Sequence, residues 1–171
     1  PAYAIILSKL ASSSLAGMVQ IFLLCVLLFV LQRLHFNQIN WIVFLLGITL
    51  TAVTCSALGL VTAVMSKSLD NFAAIMNFVI FPVFFLSGAL YPIQNLPTAL
   101  HWIAIANPFS YGVDLIKHSI DAKNINPDFS LHVSVLTLIG FSIISIVFAS
   151  WKFSQEDTLT GLINKLTAGK R

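Results

Sequence analysis

The sequence predicts an all-helical, polytopic integral membrane protein with about four transmembrane helices and two short re-entrant external helices. Three observations predict it. Hydrophobic residues fill 58% of the 171 positions and charged residues only 9%, whereas charged residues make up about one quarter of an ordinary soluble domain. The mean hydropathy of +0.94 comes from long apolar runs separated by short polar breaks, the distribution of bilayer-spanning helices. The basic residues sit mostly at the ends of those runs, so the net charge of +3 orients the chain in a membrane and does not form a nucleic-acid patch.

The first span runs from Leu10 to Leu31, entered by Lys9 and left at Gln32-Arg33; as a helix it covers roughly 33 Å, enough to cross a bilayer core. The second runs from Trp41 to Met65, between the polar loop around Asn37-Gln38 and Ser66-Lys67, with Trp41 suited to the water interface. The third runs from Phe72 to Tyr91 and carries Asn77 and Pro82 inside it, and the fourth runs from Leu131 to Trp151, closed by Lys152. Between the last two, Pro92, Pro97, Pro108 and Pro127 break an apolar segment that cannot form one helix. Two pieces survive there, Leu96–Ala106 and Phe109–Ile120, each too short to cross and so expected to dip into the outer leaflet. The whole of 1–171 is read as one membrane domain, with a re-entrant segment over 92–120 and a cytoplasmic tail over 152–171.

Orientation follows from the basic residues. With both ends cytoplasmic, that side holds Lys9, Lys67, Lys152, Lys165, Lys170 and Arg171, against Arg33, Lys117 and Lys123 outside, and the excess belongs inside. The proline-broken segment is then external, where Asp114, Asp121 and Asp128 offset its lysines.

Catalytic chemistry is sparse. His35, His101, His118 and His132 are scattered without zinc spacing and are read as interfacial or solvated, and Cys25 and Cys55 as small packing residues within spans. The Ser87-Gly88 pair lacks the glycine that a serine-hydrolase elbow needs two places earlier, and is taken as a flexible helix end. No phosphate-binding loop occurs, so any ATP acts on a partner. The spans hold no ionisable residue between their flanking charges, which disfavours an ion-coupled carrier.

Steric features stand out instead. Gly47, Thr51, Cys55, Gly59 and Ala63 recur every four residues along the second span, a ridge of small side chains expected to pack closely against another helix. Phe78, Phe81 and Phe85 share a face of the third span and, with Asn77, are the candidate substrate path. Gln20 and Asn77 are expected to be buried amides that hydrogen-bond between helices. Tyr91, Pro92, Pro97, Asn107, Pro108 and Tyr111 form a candidate external gate, in which Asn107 caps the second short helix with Pro108 at its first position, while Tyr91, Trp102 and Tyr111 anchor the element at the interface.

The run Leu86-Ser87-Gly88-Ala89-Leu90-Tyr91-Pro92, then Leu96-Pro97, then Ala106-Asn107-Pro108-Phe109-Ser110-Tyr111 resembles the C-terminal signature of type-2 ABC export permeases, a group that includes daunorubicin-resistance and nodulation-factor exporter permeases. Where family members often carry Arg shortly after the Asn-Pro element, this chain has Lys117. The resemblance implies six spans in all, so that these four are the third to sixth, Pro1-Ala2-Tyr3 ends a cytoplasmic loop, and the docking helix lies largely before Pro1. It further implies a bacterial inner-membrane permease that pairs with a second permease copy and docks on a separate ATP-binding subunit. That subunit holds ATP and Mg, with no cofactor on this chain; the remaining contacts are lipids and no nucleic acid. The implied activity is alternating-access export of an apolar or amphipathic drug, lipid or lipid-linked glycan, without an enzymatic step on this chain. A non-ABC channel or secondary carrier, and a membrane scaffold or assembly protein, are the rival readings.

Overall fold

The computed structural model describes residues 2–31, 39–66, 68–120 and 126–168, with side chains described over 4–31, 39–66, 68–120 and 126–155. Several residues used above lie outside this set: Arg33, His35, Asn37, Gln38, Lys67, Asp121, Lys123, Lys170, Arg171 and the side chain of Lys165.

Among the described residues six α-helices follow in order: α1 (Ala2–Val30), α2 (Trp41–Met65), α3 (Leu69–Phe85), α4 (Thr98–Ala106), α5 (Pro108–Ser119) and α6 (Leu131–Ala168), with a 3-10 turn at Ile93–Asn95. Three of them are long and apolar enough to cross a membrane: α1, α2 and the Leu131–Gln155 part of α6. Among the described residues there is no strand, only an isolated bridge between Ile39 and Ile120. The chain is therefore an all-helical polytopic membrane protein.

The second helix has the bounds expected of it; the others differ in instructive ways. Helix α1 begins at Ala2 and not near Leu10, because Lys9 and the serines beside it do not break a helix. Ser8, Ser12 and Ser13 turn their hydroxyls back onto carbonyls of the preceding turn. Helix α6 continues past Trp151 to Ala168. The two short helices between α3 and α6 start at Thr98 and Pro108, with Pro97 and Asn107 just outside them.

The largest departure is α3. It starts under a cap from the Ser68 hydroxyl to the Asn71 N–H, 3.2 Å. It then stops at Phe85 after 17 residues, about 26 Å, short of the roughly 30 Å bilayer core. Continuation to Tyr91 fails because Gly88 adopts φ +77°, a left-handed conformation that ends helices. A side chain at Gly88 would also meet Ile93 at 3.0 Å and Asp128 Oδ2 at 3.2 Å.

Helix α2 is the axis of the bundle and touches α1, α3, α5 and α6. Hydroxyl pairs link it to its neighbours: Ser14 to Ser56 at 3.1 Å, and Thr54 with Ser142 at 2.9 Å. Such pairs satisfy polar groups that have no water to turn to in an apolar medium. Helix α5 runs antiparallel to α2. Its C-terminal Ser119 carbonyl accepts from the Asn40 N–H at 2.7 Å, Leu115 lies against Gly47, and Gly112 lies against Thr51. Thr51 is ten residues into α2, about 15 Å from its start, so the N-terminal end of α5 lies deep within the span. Tyr111, Leu115 and Leu138 form the core here, flanked by Leu50, Phe129, Leu131 and Val135.

The ridge of small residues divides. Gly47 and Thr51 pack on α5, whereas Cys55 is exposed and no described atom lies within 4 Å of where a Cβ at Gly59 would stand. These two face a groove of about 470 Å³ shared with Lys9, Ser12, Ser56 and Phe72. The close approach is at Gly112, where a Cβ would sit 2.5 Å from Thr51 Oγ1, a hydroxyl already held on the Gly47 carbonyl at 2.7 Å. Gly112→Ala is therefore expected to destabilise the protein by about 1–3 kcal/mol through overpacking. Gly59→Ala should have no steric cost within this chain. Thermal unfolding in detergent measures both, and equal stability of the two variants would contradict the close α2–α5 contact.

Candidate functional site

A helix leaves its last four carbonyls without intrahelical partners. For α3 those carbonyls lie at membrane depth, where each needs a protein donor. The start of α5 supplies them. Asn107 Nδ2 donates to the Val83 carbonyl at 2.8 Å, and the Ser110 hydroxyl reaches the Leu86 carbonyl at 3.3 Å. The Phe84 carbonyl takes the Ser87 hydroxyl at 2.7 Å.

The same few residues close two further helix ends. The Asn107 Oδ1 accepts from the Phe109 N–H at 3.1 Å and caps α5, with Pro108 at a first-turn position where no N–H is missed. The C-terminal carbonyls of α4 receive the Ser110 hydroxyl at Ala104, 2.7 Å, and the Tyr111 hydroxyl at Ile105, 2.8 Å. Asn107, Ser110 and Tyr111 thus join the ends of α3 and α4 to the beginning of α5.

Two aspartates hold this element to α6. Asp114 is fully buried. Its Oδ1 accepts from the Asp128 and Phe129 N–H groups at 2.6 and 3.0 Å, and its Oδ2 from the Ser134 hydroxyl at 2.7 Å. These donors precede and open α6, where the helix dipole favours a negative group. His118, one turn on, brings Nδ1 to 3.3 Å from Oδ2. Asp128 accepts from Lys117 Nζ at 2.6 Å and from the Ile93 N–H at 3.0 Å. Ile93 is itself buried, and its carbonyl is the acceptor for His101 Nδ1 at 3.0 Å.

The residues singled out from the sequence fall in different places. Of the six gate residues, Asn107, Pro108 and Tyr111 are buried in the junction, while Tyr91, Pro92 and Pro97 are exposed on its outer side. Trp102 is also exposed. Phe78, Phe81 and Phe85 are exposed along α3, and no residue of that helix is buried in the chain. Asn77 and Gln20 are likewise exposed and not buried amides, since among the described residues no neighbouring helix covers them. His101 and His118 are half-buried tethers and not solvated side chains; His132 is exposed. Among the described residues no cluster of three His, Cys, Asp or Glu side chains is arranged to hold a metal ion.

Asp114 and Asp128 were assigned only to offset external lysines, and their central place was missed. The available signal was their spacing: Asp114 follows Asn107 by seven residues, two turns along one face of α5.

Apolar helices around α2, with a helix pair that enters the span and returns, define an integral membrane protein built to keep a broken helix inside a bilayer. The match to the ABC-2 type transporter family covers residues 1–120, and the chain belongs to that family. Nodulation protein J of Rhizobium leguminosarum bv. viciae is 32% identical over 102 residues, which is 58% of this chain and 39% of that protein. The inner membrane transport permease YadH of Escherichia coli (strain K12) is 27% identical over 112 residues, 66% of this chain and 41% of its own length. The chain spans about two-fifths of the length of these relatives. No solved structure matches it.

Two predictions follow the geometry. Asn107→Ala removes the cap and orphans the Val83 carbonyl, so a loss of about 1–3 kcal/mol in stability is expected. Asn107→Asp keeps the capping oxygen but not the donor, and should recover only part of that loss in thermal unfolding. Asp114→Ala strands two N–H groups and a hydroxyl in a buried site, with an expected loss of about 2–5 kcal/mol. Ser134→Ala removes a single donor to Asp114 and should cost about 1 kcal/mol; an equal effect of the two would remove Asp114 from the centre of the network.

Proposed function

We propose that this chain forms the outer half of the translocation route of an ABC exporter, with the α4–α5 pair as its external gate. ATP is bound and hydrolysed on a separate subunit, and closure of that subunit drives alternating exposure of the route. The observation that carries this reading is the end of α3 within the span, capped by side chains of α5: breaking a few hydrogen bonds there frees the broken helix without unfolding a continuous one. The exposed face of Phe78, Phe81 and Phe85 is the apolar wall of the route, which a second permease copy completes. Its chemistry suits an apolar or amphipathic substrate. The similarity to YadH, an inner membrane transport permease, supports the bacterial inner membrane as location, and the basic-residue bias supports cytoplasmic ends.

The gate is testable through a tether. The Cβ position at Gly47 lies 3.1 Å from Leu115 Cβ, within a few tenths of an ångström of the roughly 3.5 Å lower limit for a disulfide. In Gly47→Cys/Leu115→Cys, oxidation should stop export and reduction should restore it, at unchanged binding of the ATP-binding subunit. Full export by the oxidised protein would reject the gate. Single cysteines at Asn95 and Gln155 should label from outside and inside intact cells respectively, and outside labelling of Gln155 would reverse the orientation. The chain alone should show no ATP turnover, whereas its complex with the ATP-binding subunit should.

A further inference from the structure

Helices α1 and α2 meet closely at one level and part beyond it. Where they meet, the Ser14 hydroxyl reaches Ser56 at 3.1 Å, and a Cβ at Gly17 would stand 3.8 Å from that of Ala52. From this level towards Phe29 and Trp41 a wedge opens between the two helices. It is a cavity of about 480 Å³, walled by Met18, Phe22 and Phe29 of α1 and by Trp41, Phe44 and Ile48 of α2. Among the described residues no charged or hydroxyl-bearing side chain lines it. Both walls belong to helices long and apolar enough to cross a membrane. We propose that the wedge holds one hydrocarbon chain of a membrane phospholipid, resident on the protein and not its cargo.

Depth and shape favour this occupant. The wedge closes at Ala52, eleven residues beyond Trp41 and so about 17 Å along the helix. The hydrocarbon layer of one leaflet is about 15 Å deep, half the bilayer core. A chain that enters at the Trp41 end, where an indole suits the water interface, therefore reaches its full length as the wedge shuts. Water finds no partners on these walls. Another helix does not fit either: it is about 10–12 Å across, and 17 Å of it fills more than about 1,000 Å³. Laid over the mouth, it would leave the deep part void, and protein interiors hold few voids of that size because the lining loses its contacts. A flexible chain fills an irregular apolar wedge, and the thioether of Met18 adapts to it. With no charge on the walls the chain is recognised and not its headgroup. Only 6% of the apolar window of α1 is buried within the protein, so the lipid chain completes the seating of α1 on α2.

The occupant can be captured in place. The full-length permease, with Phe44 replaced by p-benzoylphenylalanine, is reconstituted in nanodiscs of dioleoylphosphatidylcholine. It is then moved into detergent until bulk lipid is gone, irradiated, and its peptides are weighed. The peptide carrying position 44 should gain the mass of one phosphatidylcholine. The same photoreactive residue at Leu23, exposed and outside the wedge, should gain none, since lipid that merely surrounds the protein is lost in detergent.

Val19→Phe/Cys25→Phe fills part of the wedge and should lower the lipid adduct at position 44 at least about tenfold, the factor that a couple of lost buried methylenes already produces. Leu23→Phe/Leu27→Phe adds the same rings on exposed positions outside the wedge and should leave the adduct unchanged. A cross-link from position 44 to another peptide, of this copy or a second one, would mean that a protein segment is the occupant and would overturn the proposal. So would absence of lipid after the transfer, equal adducts at positions 44 and 23, or an adduct that survives filling of the wedge. The comparison of positions 44 and 23 decides even if the filled variant does not fold. Neither ATP nor transport enters the measurement, so its outcome is independent of the export reading.

Discussion

The contact on which the rest depends is the hydrogen bond from Asn107 to the Val83 carbonyl, at 2.8 Å. A helix that ends in water can leave its last carbonyls to solvent, but one that ends at membrane depth cannot. Helix α3 ends there, because Gly88 turns the chain and too few residues remain to reach the far side. Some other part of the protein must then bring donors into the span, and this requires a segment that enters and returns. The α4–α5 pair is that segment. Its apex carries the residues that can cap in both directions: an amide with a donor and an acceptor, a proline that tolerates the first turn, and two hydroxyls.

Once the apex is inside, the pair must be held by its outer end, and the aspartates do this. A buried carboxylate without a formal counter-ion is tolerable when several N–H and O–H dipoles converge on it. Asp114 receives three such donors. Two of them are backbone groups at the entrance to α6, so the carboxylate also sets where that helix begins. Asp128 extends the tie to the 3-10 turn through Ile93 and to α5 through Lys117. The element is thus secured by oriented polar contacts, while its apolar bulk rests on α2 through Gly112 and Leu115.

A clear division of surface results. The apolar window of α2 is 33% buried within the chain and that of α1 only 6%, and α3 has no buried residue. The inner core is therefore α2, α5 and α6, with α1 and α3 as outer walls whose apolar faces meet lipid or other protein. Polar contacts concentrate at the outer end.

Hydropathy alone was sufficient for the all-helical membrane class and for the long helices. Trp41 to Met65 has the bounds read from its sequence because an unbroken apolar run with a polar break at each end has one stable form in a bilayer. Pro92, Pro97 and Pro108 likewise divided the segment between α3 and α6 into two short helices, since proline acts locally, and the capping role of Asn107 was legible from its place before Pro108. What lay beyond reach depended on contacts distant in the chain. Where α3 stops, which half of the small-residue ridge is covered, and that Asp114 is a buried anchor and not a surface charge were decided by α5 folding back against α2 and α6. Local sequence states which groups a residue carries. Only the tertiary arrangement brings Val83 to Asn107, or Asp128 and Ser134 to Asp114, and partners separated by 14 to 24 residues leave no periodic trace in the chain.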